Sequence, residues 1–301
     1  MNPMLRAMRL ERWPRSTAVY VGTAALAFLD RGRFAGLGLG EALGRGAGVF
    51  LLTWLISTAN YIVNEIADAP FDIHHPTKRM RPLASGEVHR GPLVVWAFVL
   101  AASSLAAAWF LFSRPFFFSL LALLAAGFIY NVKPVRAKDI PFLDSVSESI
   151  NNPIRFCLGW YAFAPAGFPP ASLLLSWWAF GNFLMVAKRL SELRFLRERA
   201  GDYRASLRRY TNGSLILGLA ASAAVFLAAY FVFAVKFRLQ GFLYLSPLLA
   251  FYLFLFFRKT LVEKEIMEEP EKLLSRPKYA LFTALLAVLY AVVLLVDKVG
   301  Q

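Results

Sequence analysis

Residues 60–88 read NYIVNEIADAPFDIHHPTKRMRPLASGEV and directly follow a strongly apolar run. In the first half of this stretch, polar side chains recur every four residues, at Asn60, Asn64, Asp68 and Asp72. Residues four apart lie on one face of a helix, so a helix through this segment carries all four on the same face, with Glu65 beside them. The sequence therefore predicts an anionic helix face at the end of a membrane span.

A basic loop follows this predicted acidic helix. Its cations are Lys78, Arg79 and Arg81, between Pro76 and Pro82. Unpaired carboxylates at a membrane boundary are costly, and a divalent cation with oxygen ligands is their natural partner. An acidic helix before a basic loop is the layout expected for magnesium holding a diphosphate, because carboxylates bind the metal and cations bind the phosphate oxygens. The alternative is a helix end with solvated charges beside a positive cytoplasmic loop.

The acidic helix and the basic loop each form a motif. The motifs read Asn64-Glu65-x-x-Asp68-x-x-x-Asp72 and His75-Pro76-Thr77-Lys78-Arg79-x-Arg81-Pro82-Leu83-x-Ser85-Gly86. Together they resemble the first signature of the UbiA-type intramembrane prenyltransferases. The second residue of that signature is usually Asp; here it is Glu65, which can still bind a metal.

The resemblance implies roles for these residues. The implied ligands of Mg²⁺ are Asn64, Glu65, Asp68 and Asp72. The cations implied to stabilise a departing diphosphate are Lys78, Arg81 and Arg79.

Composition places the whole chain in a membrane. Of its 301 residues, 58% are hydrophobic and only 17% are charged, whereas a soluble domain carries about a quarter charged residues. The single cysteine, Cys157, excludes a disulfide framework and any site with several thiolates. We therefore predict an all-α polytopic membrane protein that forms one integral-membrane transferase domain over residues 1–301.

Nine apolar runs are candidate spans, although several are near the minimum length for crossing a bilayer. They lie at about 16–29, 46–64, 92–112, 116–131, 143–163, 171–187, 213–235, 241–257 and 279–296. With the N-terminus cytoplasmic, the inside segments hold 25 Lys and Arg residues and the outside segments hold 7. This asymmetry follows the positive-inside rule, and it accounts for most of the net charge of +14 without a nucleic-acid partner. The mixed-charge stretch at 263–278 is predicted to be a solvated connecting helix.

The fifth predicted span carries an unusual polar stripe. Its residues are Asp144, Glu148, Asn151, Asn152 and Arg155, with Pro153 expected to bend or loosen the helix. Polar stripes inside membranes normally face a polar cavity, so we expect this one to face the acidic helix of the second span, with Asp144 and Arg155 towards the substrate. The alternative is that Arg155 pairs with Glu148 only for packing.

The loop after the sixth span carries a second motif. It reads Lys188-Arg189-x-x-Glu192-Leu193, followed by Arg204-x-Ser206-Leu207-x-Arg209-Tyr210-Thr211. Members of the family that transfer prenyl groups usually have a second Asp-x-x-x-Asp here, and Lys188 and Glu192 occupy the matching positions. A Lys-Arg pair cannot bind magnesium but can bind an additional phosphate.

The substrate 5-phosphoribosyl 1-diphosphate has both a diphosphate and a separate phosphate. The second motif is similar to that of the decaprenyl-phosphate phosphoribosyltransferases, a branch of the same superfamily, which implies substrate-binding roles for Lys188, Arg189 and Glu192. Two alternatives remain for this loop: a solvated basic helix that contacts anionic lipid, or a displaced carboxylate pair of Glu198 and Asp202.

The resemblance implies nine helices around a central cavity and transfer of a 5-phosphoribosyl group to a polyprenyl phosphate. The runner-up is transfer of a prenyl group from a prenyl diphosphate to an aromatic or lipid acceptor. A membrane transporter would leave the basic loop unexplained, and the longer glycine-bearing Asp motif of phosphatidyltransferases is absent. We expect an integral protein of a prokaryotic cell membrane, with its site on the cytoplasmic side and no nucleic-acid partner.

Overall fold

Helices form all the regular secondary structure in a computed structural model, which describes residues 2–73, 78–262 and 277–299. The α-helices are α1 (Pro3–Met8), α2 (Val19–Leu29), α3 (Leu39–Asp72), α4 (Arg90–Leu111), α5 (Arg114–Asn131), α6 (Leu143–Ser149), α7 (Asn151–Tyr161), α8 (Ala171–Leu196), α9 (Ala200–Tyr203), α10 (Asn212–Lys236), α11 (Gln240–Val262) and α12 (Pro277–Val299). Short 3-10 helices cover Leu10–Ala18, Arg31–Phe34, Lys78–Met80, Ala137–Asp139, Arg197–Arg199 and Ala205–Arg209. The predicted all-α class is confirmed.

Two predicted features fall outside the described residues. One is the start of the basic motif at 74–77, and the other is most of the connecting helix predicted at 263–278.

Five helices in the described part of the chain are long and apolar enough to cross a membrane, namely α3, α4, α5, α10 and α11. The apolar stretch of α12, Pro277–Val293, is shorter. The first predicted span holds only the 11 residues of α2, and the fifth is divided between α6 and α7. That break, at Ile150, lies close to Pro153 in the first turn of α7, where proline is tolerated. The count of nine spans stays a prediction.

The chain forms two compact units. Unit 1 comprises Met1–Lys138 and Ile150–Pro169, and unit 2 comprises Asp139–Ser149 and Pro170–Gln301. The boundary divides the polar stripe of the fifth predicted span, because Asp144 and Glu148 belong to unit 2 and Arg155 belongs to unit 1. A single transferase domain, and a stripe that faces the acidic helix, both stay predictions.

In unit 1, α3 packs against α4 and α5, and α2 packs against α7. The backbones of α2 and α7 are in very close contact. A Cβ atom added at Gly22 of α2 would lie only 1.9 Å from the carbonyl oxygen of Phe156 in α7. Likewise, a Cβ atom at Gly159 would lie 1.8 Å from the carbonyl oxygen of Val19. Small residues allow membrane helices to approach in this way, and here the Thr23 hydroxyl also donates a hydrogen bond to the carbonyl of Gly159 at 3.0 Å.

In unit 2, α8 and α10 form the main helix pair, and α6 and α11 pack on α8. The buried core between them includes Phe183, Leu190, Leu207, Leu219 and Phe256. Leu207 comes from the segment after α8, so this segment is anchored in the core. The C-terminal half of α8, which carries the second motif, is thereby held on several sides.

Candidate active site

The C-terminal turns of α3 carry the predicted acidic face. Asp68 accepts hydrogen bonds from the ammonium of Lys138 and, at 3.2 Å, from Nη2 of Arg136. Arg136 also donates to the carbonyl oxygen of Ala67 at 3.1 Å, and its guanidinium lies 4.7 Å from the ring centre of Phe71. The segment after α5 therefore supplies two cations to this end of α3.

The basic loop of the first signature reaches the same end of the helix. Arg81 donates from Nη1 to Oδ2 of Asp72 at 2.5 Å, and Asp72 is only 4% exposed. Lys78 acts electrostatically on Asp68, whereas Arg79 is exposed. The predicted acidic helix and basic loop thus lie together in unit 1.

Glu65 has a partner that the sequence did not indicate. Its Oε2 accepts a hydrogen bond from Nη2 of Arg9 at 2.5 Å, while its Oε1 is buried with no hydrogen-bond partner among the described residues. Burial, and next the charge of Arg81, lower the pKa of Arg9. Glu65 and Asp72 are seven residues apart, on one side of α3, and their arginines are close enough to interact. In the sequence, Arg9 is recognisable only as one of the 25 Lys and Arg residues of the predicted inside segments.

Two asparagines continue the polar face into the apolar part of α3. Asn60 donates from Nδ2 to the carbonyl oxygen of Leu123 at 2.8 Å. The Oδ1 atoms of Asn60 and Asn64 are buried, and neither has a hydrogen-bond partner in the described part of the chain. Leaving a buried carbonyl oxygen unpaired costs free energy. The Oδ1 of Asn64, one turn before Asp68, is therefore available as a ligand for a metal ion.

The donor set of α3 fits magnesium by its chemistry. Asn64, Asp68 and Asp72 supply only oxygen atoms from successive turns, and hard cations prefer such ligands. In the described residues no three Asp, Glu, His or Cys side chains converge as a ready metal cluster, because each α3 carboxylate is drawn towards a cation. The predicted ligand set, Glu65 included, therefore stays a prediction.

Arg189 lies at the centre of a buried ion cluster in unit 2. Its Nε donates to Asp144 at 2.7 Å, its Nη1 to Glu192 at 3.0 Å and its Nη2 to Glu148 at 3.1 Å. Arg189 and Asp144 are 0% exposed, and Glu192 is 1% exposed. A guanidinium surrounded by three carboxylates has few donors left for a substrate, so this geometry favours an internal role for Arg189, Glu192 and Asp144 over their predicted contact with substrate.

Asp144 also fixes the segment after α8. Its carboxylate accepts hydrogen bonds from the hydroxyl of Tyr210 at 2.6 Å and of Ser206 at 2.9 Å. The Tyr210 hydroxyl in turn accepts from the backbone N–H of Phe142 at 2.5 Å. Burial, and next the carboxylate of Asp144, raise the pKa of Tyr210, which keeps its hydroxyl a proton donor.

Lys188 differs from its neighbour Arg189. Glu148 and Glu192 act on it electrostatically, but no ion pair within 4.0 Å joins it to a described carboxylate. The alternative pairing of Glu148 with Arg155 is not found, since Glu148 binds Arg189. Glu198 and Asp202, the alternative carboxylate pair, are both exposed, and Asp202 lies 3.4 Å from Arg208.

An apolar helical chain with a carboxylate face on one long helix, and cations around that face, is the arrangement expected of a membrane-embedded transferase. The chain belongs to the UbiA prenyltransferase family, whose model matches residues 19–286. It is therefore an integral-membrane transferase, and the resemblance predicted from the motifs is confirmed.

Two curated proteins and one solved structure are similar to the chain over most of its length. The decaprenyl-phosphate phosphoribosyltransferase of Mycobacterium tuberculosis is 31% identical over 227 residues, which cover 74% of this chain and 71% of that protein. The enzyme of the same name from Mycolicibacterium smegmatis is 27% identical over 244 residues, covering 77% and 70%. A solved UbiA homologue from Archaeoglobus fulgidus, bound to GPP and Mg²⁺, matches with a TM-score of 0.68 and 18% identity over 97% of this chain and 99% of that one, which shows the shared fold.

Proposed function

We propose that the chain transfers a 5-phosphoribosyl group from 5-phosphoribosyl 1-diphosphate to a polyprenyl phosphate, such as decaprenyl phosphate. The observation that carries this proposal is Lys188. It stands where prenyl-transferring members of the family usually have a carboxylate, and its ammonium makes no direct ion pair with the described carboxylates around it. The similarity to two phosphoribosyltransferases supports the same choice.

In this proposal, unit 1 holds the diphosphate. Asn64, Asp68 and Asp72 bind Mg²⁺, with Glu65 as a further candidate, and the bound ion neutralises charge on the leaving group. The phosphate oxygens are bound by cations that lie beside this face. These are Lys78, Arg81, Arg136 and Lys138, of which the last two were not in the predicted set. Arg79, an exposed residue of the same basic loop, is kept from that set as a further candidate. Such donors stabilise charge as it develops on the departing diphosphate.

Lys188 binds the 5-phosphate of the sugar, and Arg189 holds the helix that carries it. An oxygen of the lipid phosphate attacks C1 of the ribose while the bond from C1 to the diphosphate oxygen breaks. The electron pair of that bond leaves with the diphosphate. No residue is required as a general base, because a phosphate anion is already a nucleophile.

The membrane arrangement belongs to the same proposal. Nine spans form one transferase domain over residues 1–301 around a central cavity, with the N-terminus and the site on the cytoplasmic side of a prokaryotic cell membrane. The supporting observation is the asymmetry of Lys and Arg between alternate loops.

The second candidate is prenyl transfer to an aromatic or lipid acceptor. It is favoured by the Archaeoglobus fulgidus homologue, which shares the fold and is bound to GPP and Mg²⁺. Both reactions would use the same α3 face, so only the region of Lys188 separates them.

The test is incubation of purified protein with Mg²⁺, a polyprenyl phosphate and each candidate donor, followed by mass spectrometry of the lipid product. Lys188→Asp should lower phosphoribosyl transfer at least about tenfold, because a carboxylate replaces a charge-assisted contact to phosphate. Arg208→Asp, at an exposed position after α8, is the matched control and should leave transfer unchanged. Prenyl transfer by the wild type, or unchanged sugar-donor affinity in Lys188→Asp, would favour the second candidate.

A further inference from the structure

Arg155 is a cation inside α7 that has no anionic partner among the residues that the structure describes. It is partly buried, and its Nε is fully enclosed without a hydrogen-bond partner among the described residues. No ion pair within 4.0 Å joins it to any described carboxylate. A charged group in this setting is expensive, and an intramembrane cation is normally paired or functional.

The carboxylates of unit 1 are already used elsewhere. Unit 1 contains seven of them. Six are bound to other cations, in the pairs Arg6–Glu87, Arg9–Glu65, Arg33–Asp30, Arg45–Glu41, Arg81–Asp72 and Lys138–Asp68. The seventh, Glu11, is exposed. Unit 1 therefore has no buried carboxylate left to neutralise Arg155.

Neighbouring arginines make the electrostatic potential around Arg155 more positive. α7 packs against α3 and against the 3-10 helix Leu10–Ala18. The groups that act electrostatically on Arg155 are Tyr61 of α3 and Arg15 of that 3-10 helix. The guanidinium of Arg12 lies 5.8 Å from the centre of the Tyr61 ring. Arg155 and Arg12 thus both lie near the Tyr61 phenol, and Arg15 adds a second positive charge that acts on Arg155.

We infer that Arg155, with Arg15 beside it, binds the phosphate monoester of the lipid acceptor. This inference rests on the proposed function for the identity of the lipid. An arginine fork suits phosphate oxygens, and a phosphate supplies the negative charge that unit 1 does not provide at this position.

The occupant is a lipid-borne phosphate because the position is apolar. α7 continues from Arg155 through Phe156, Leu158 and Trp160, all buried, and forms part of a predicted span. An anion attached to a hydrocarbon chain can reach such a position from the bilayer, with its chain remaining among apolar side chains. The sugar donor has no comparable apolar part.

The experiment measures binding without turnover. Native mass spectrometry of the detergent-solubilised protein would compare a polyprenyl phosphate with the polyprenol of equal length, which lacks the phosphate. The wild type should bind the phosphate lipid at least about tenfold more tightly. Arg155→Gln should remove this preference and leave polyprenol binding unchanged. Equal preference in wild type and variant overturns the inference.

The control is Arg114→Gln, which also removes one arginine of unit 1 but at an exposed position, where the guanidinium stacks 3.2 Å from the ring centre of Trp109. This variant should behave as wild type. If Arg155→Gln does not fold, Arg155→Lys replaces it; it keeps the charge but loses the planar fork, and should lower the preference several-fold. An unchanged preference in Arg155→Lys overturns the inference in that case.

Two further binding measurements distinguish a lipid phosphate monoester from other compounds that contain phosphate. Phosphatidylglycerol that binds as tightly as the polyprenyl phosphate, or inorganic phosphate that displaces it at equal concentration, contradicts a site for a lipid phosphate monoester. The binding assay contains no sugar donor. Absence of phosphoribosyl transfer together with Arg155-dependent binding would therefore contradict the proposed reaction and not this site.

Discussion

Replacing Arg189 with methionine should destabilise the protein far more than the same replacement at Lys188. Arg189 is fully buried, and its guanidinium donates hydrogen bonds to the enclosed carboxylates of Asp144 and Glu192, whereas Arg204 reaches Asp144 only at 4.0 Å. Removing one partner of a buried ion pair costs about 3–5 kcal/mol, because the remaining charge is left uncompensated. At about 2–4 °C per kcal/mol for chains of comparable length, the unfolding midpoint should fall on the order of 10 °C.

Lys188→Met is the matched control for this prediction. It removes one positive charge from the adjacent position on the same helix and introduces the same side chain, but it breaks no direct ion pair with a described carboxylate. Its effect on stability should be below about 1 kcal/mol, while its affinity for the sugar donor should fall. Tryptophan fluorescence during thermal unfolding in detergent measures the first quantity, and donor titration measures the second.

Equal stability losses in the two variants would refute the assignment of a structural role to Arg189. The same conclusion would follow if Arg189→Met folded as stably as wild type and lost only donor affinity. In that case Arg189 would act on the substrate, as its place in the second motif first indicated.

Three further predictions test other parts of the molecule. Asp68→Asn should reduce turnover by about 100-fold at saturating Mg²⁺, because a charge-stabilising group is lost. Asp202→Asn, at an exposed position, is the control and should not reduce turnover. Equal turnover of the two variants in steady-state assays would contradict the α3 site. In a Cys157→Ser background, a membrane-impermeant thiol reagent added outside should label Ala166→Cys and not Asp202→Cys, and the reverse pattern would invert the topology. Tyr210→Phe should lower the free energy of unfolding by about 1–3 kcal/mol in thermal or chemical unfolding, because the N–H of Phe142 loses its acceptor, and an unchanged value would argue against the Asp144 anchor.

The acidic face of α3 was predictable because its signal is local. A spacing of four residues places Asn64, Asp68 and Asp72 on one helix face wherever the helix packs. The position of Arg81 close to Asp72 was also predictable, since the two are only nine residues apart in the sequence. These parts of the site depend on helix geometry and on a short loop.

The ion pairs between residues far apart in the sequence were not predictable from one sequence. Glu65 binds Arg9 across 56 residues, and Asp144 binds Arg189 across 45. Such pairs depend on which helices pack together, and apolar periodicity says little about neighbours when most helices are apolar on all sides. For the same reason, the spacing of seven residues between Glu148 and Arg155 suggested that these two form an ion pair. In the structure, the cation that binds Glu148 is Arg189 of α8.

The cations that bind Glu65, Asp68 and Asp72 of α3 come from three different parts of the chain. Arg9 precedes the first span, Arg81 follows α3, and Arg136 and Lys138 follow α5. Each can bind a carboxylate or a phosphate oxygen with similar geometry. In the proposed function, transfer of Arg81, Arg136 and Lys138 from carboxylates to the diphosphate would leave no buried charge unpaired, provided that a metal ion neutralised the carboxylates. On that proposal, the α3 face would bind the metal and the diphosphate together, because either one alone would leave like charges in close contact.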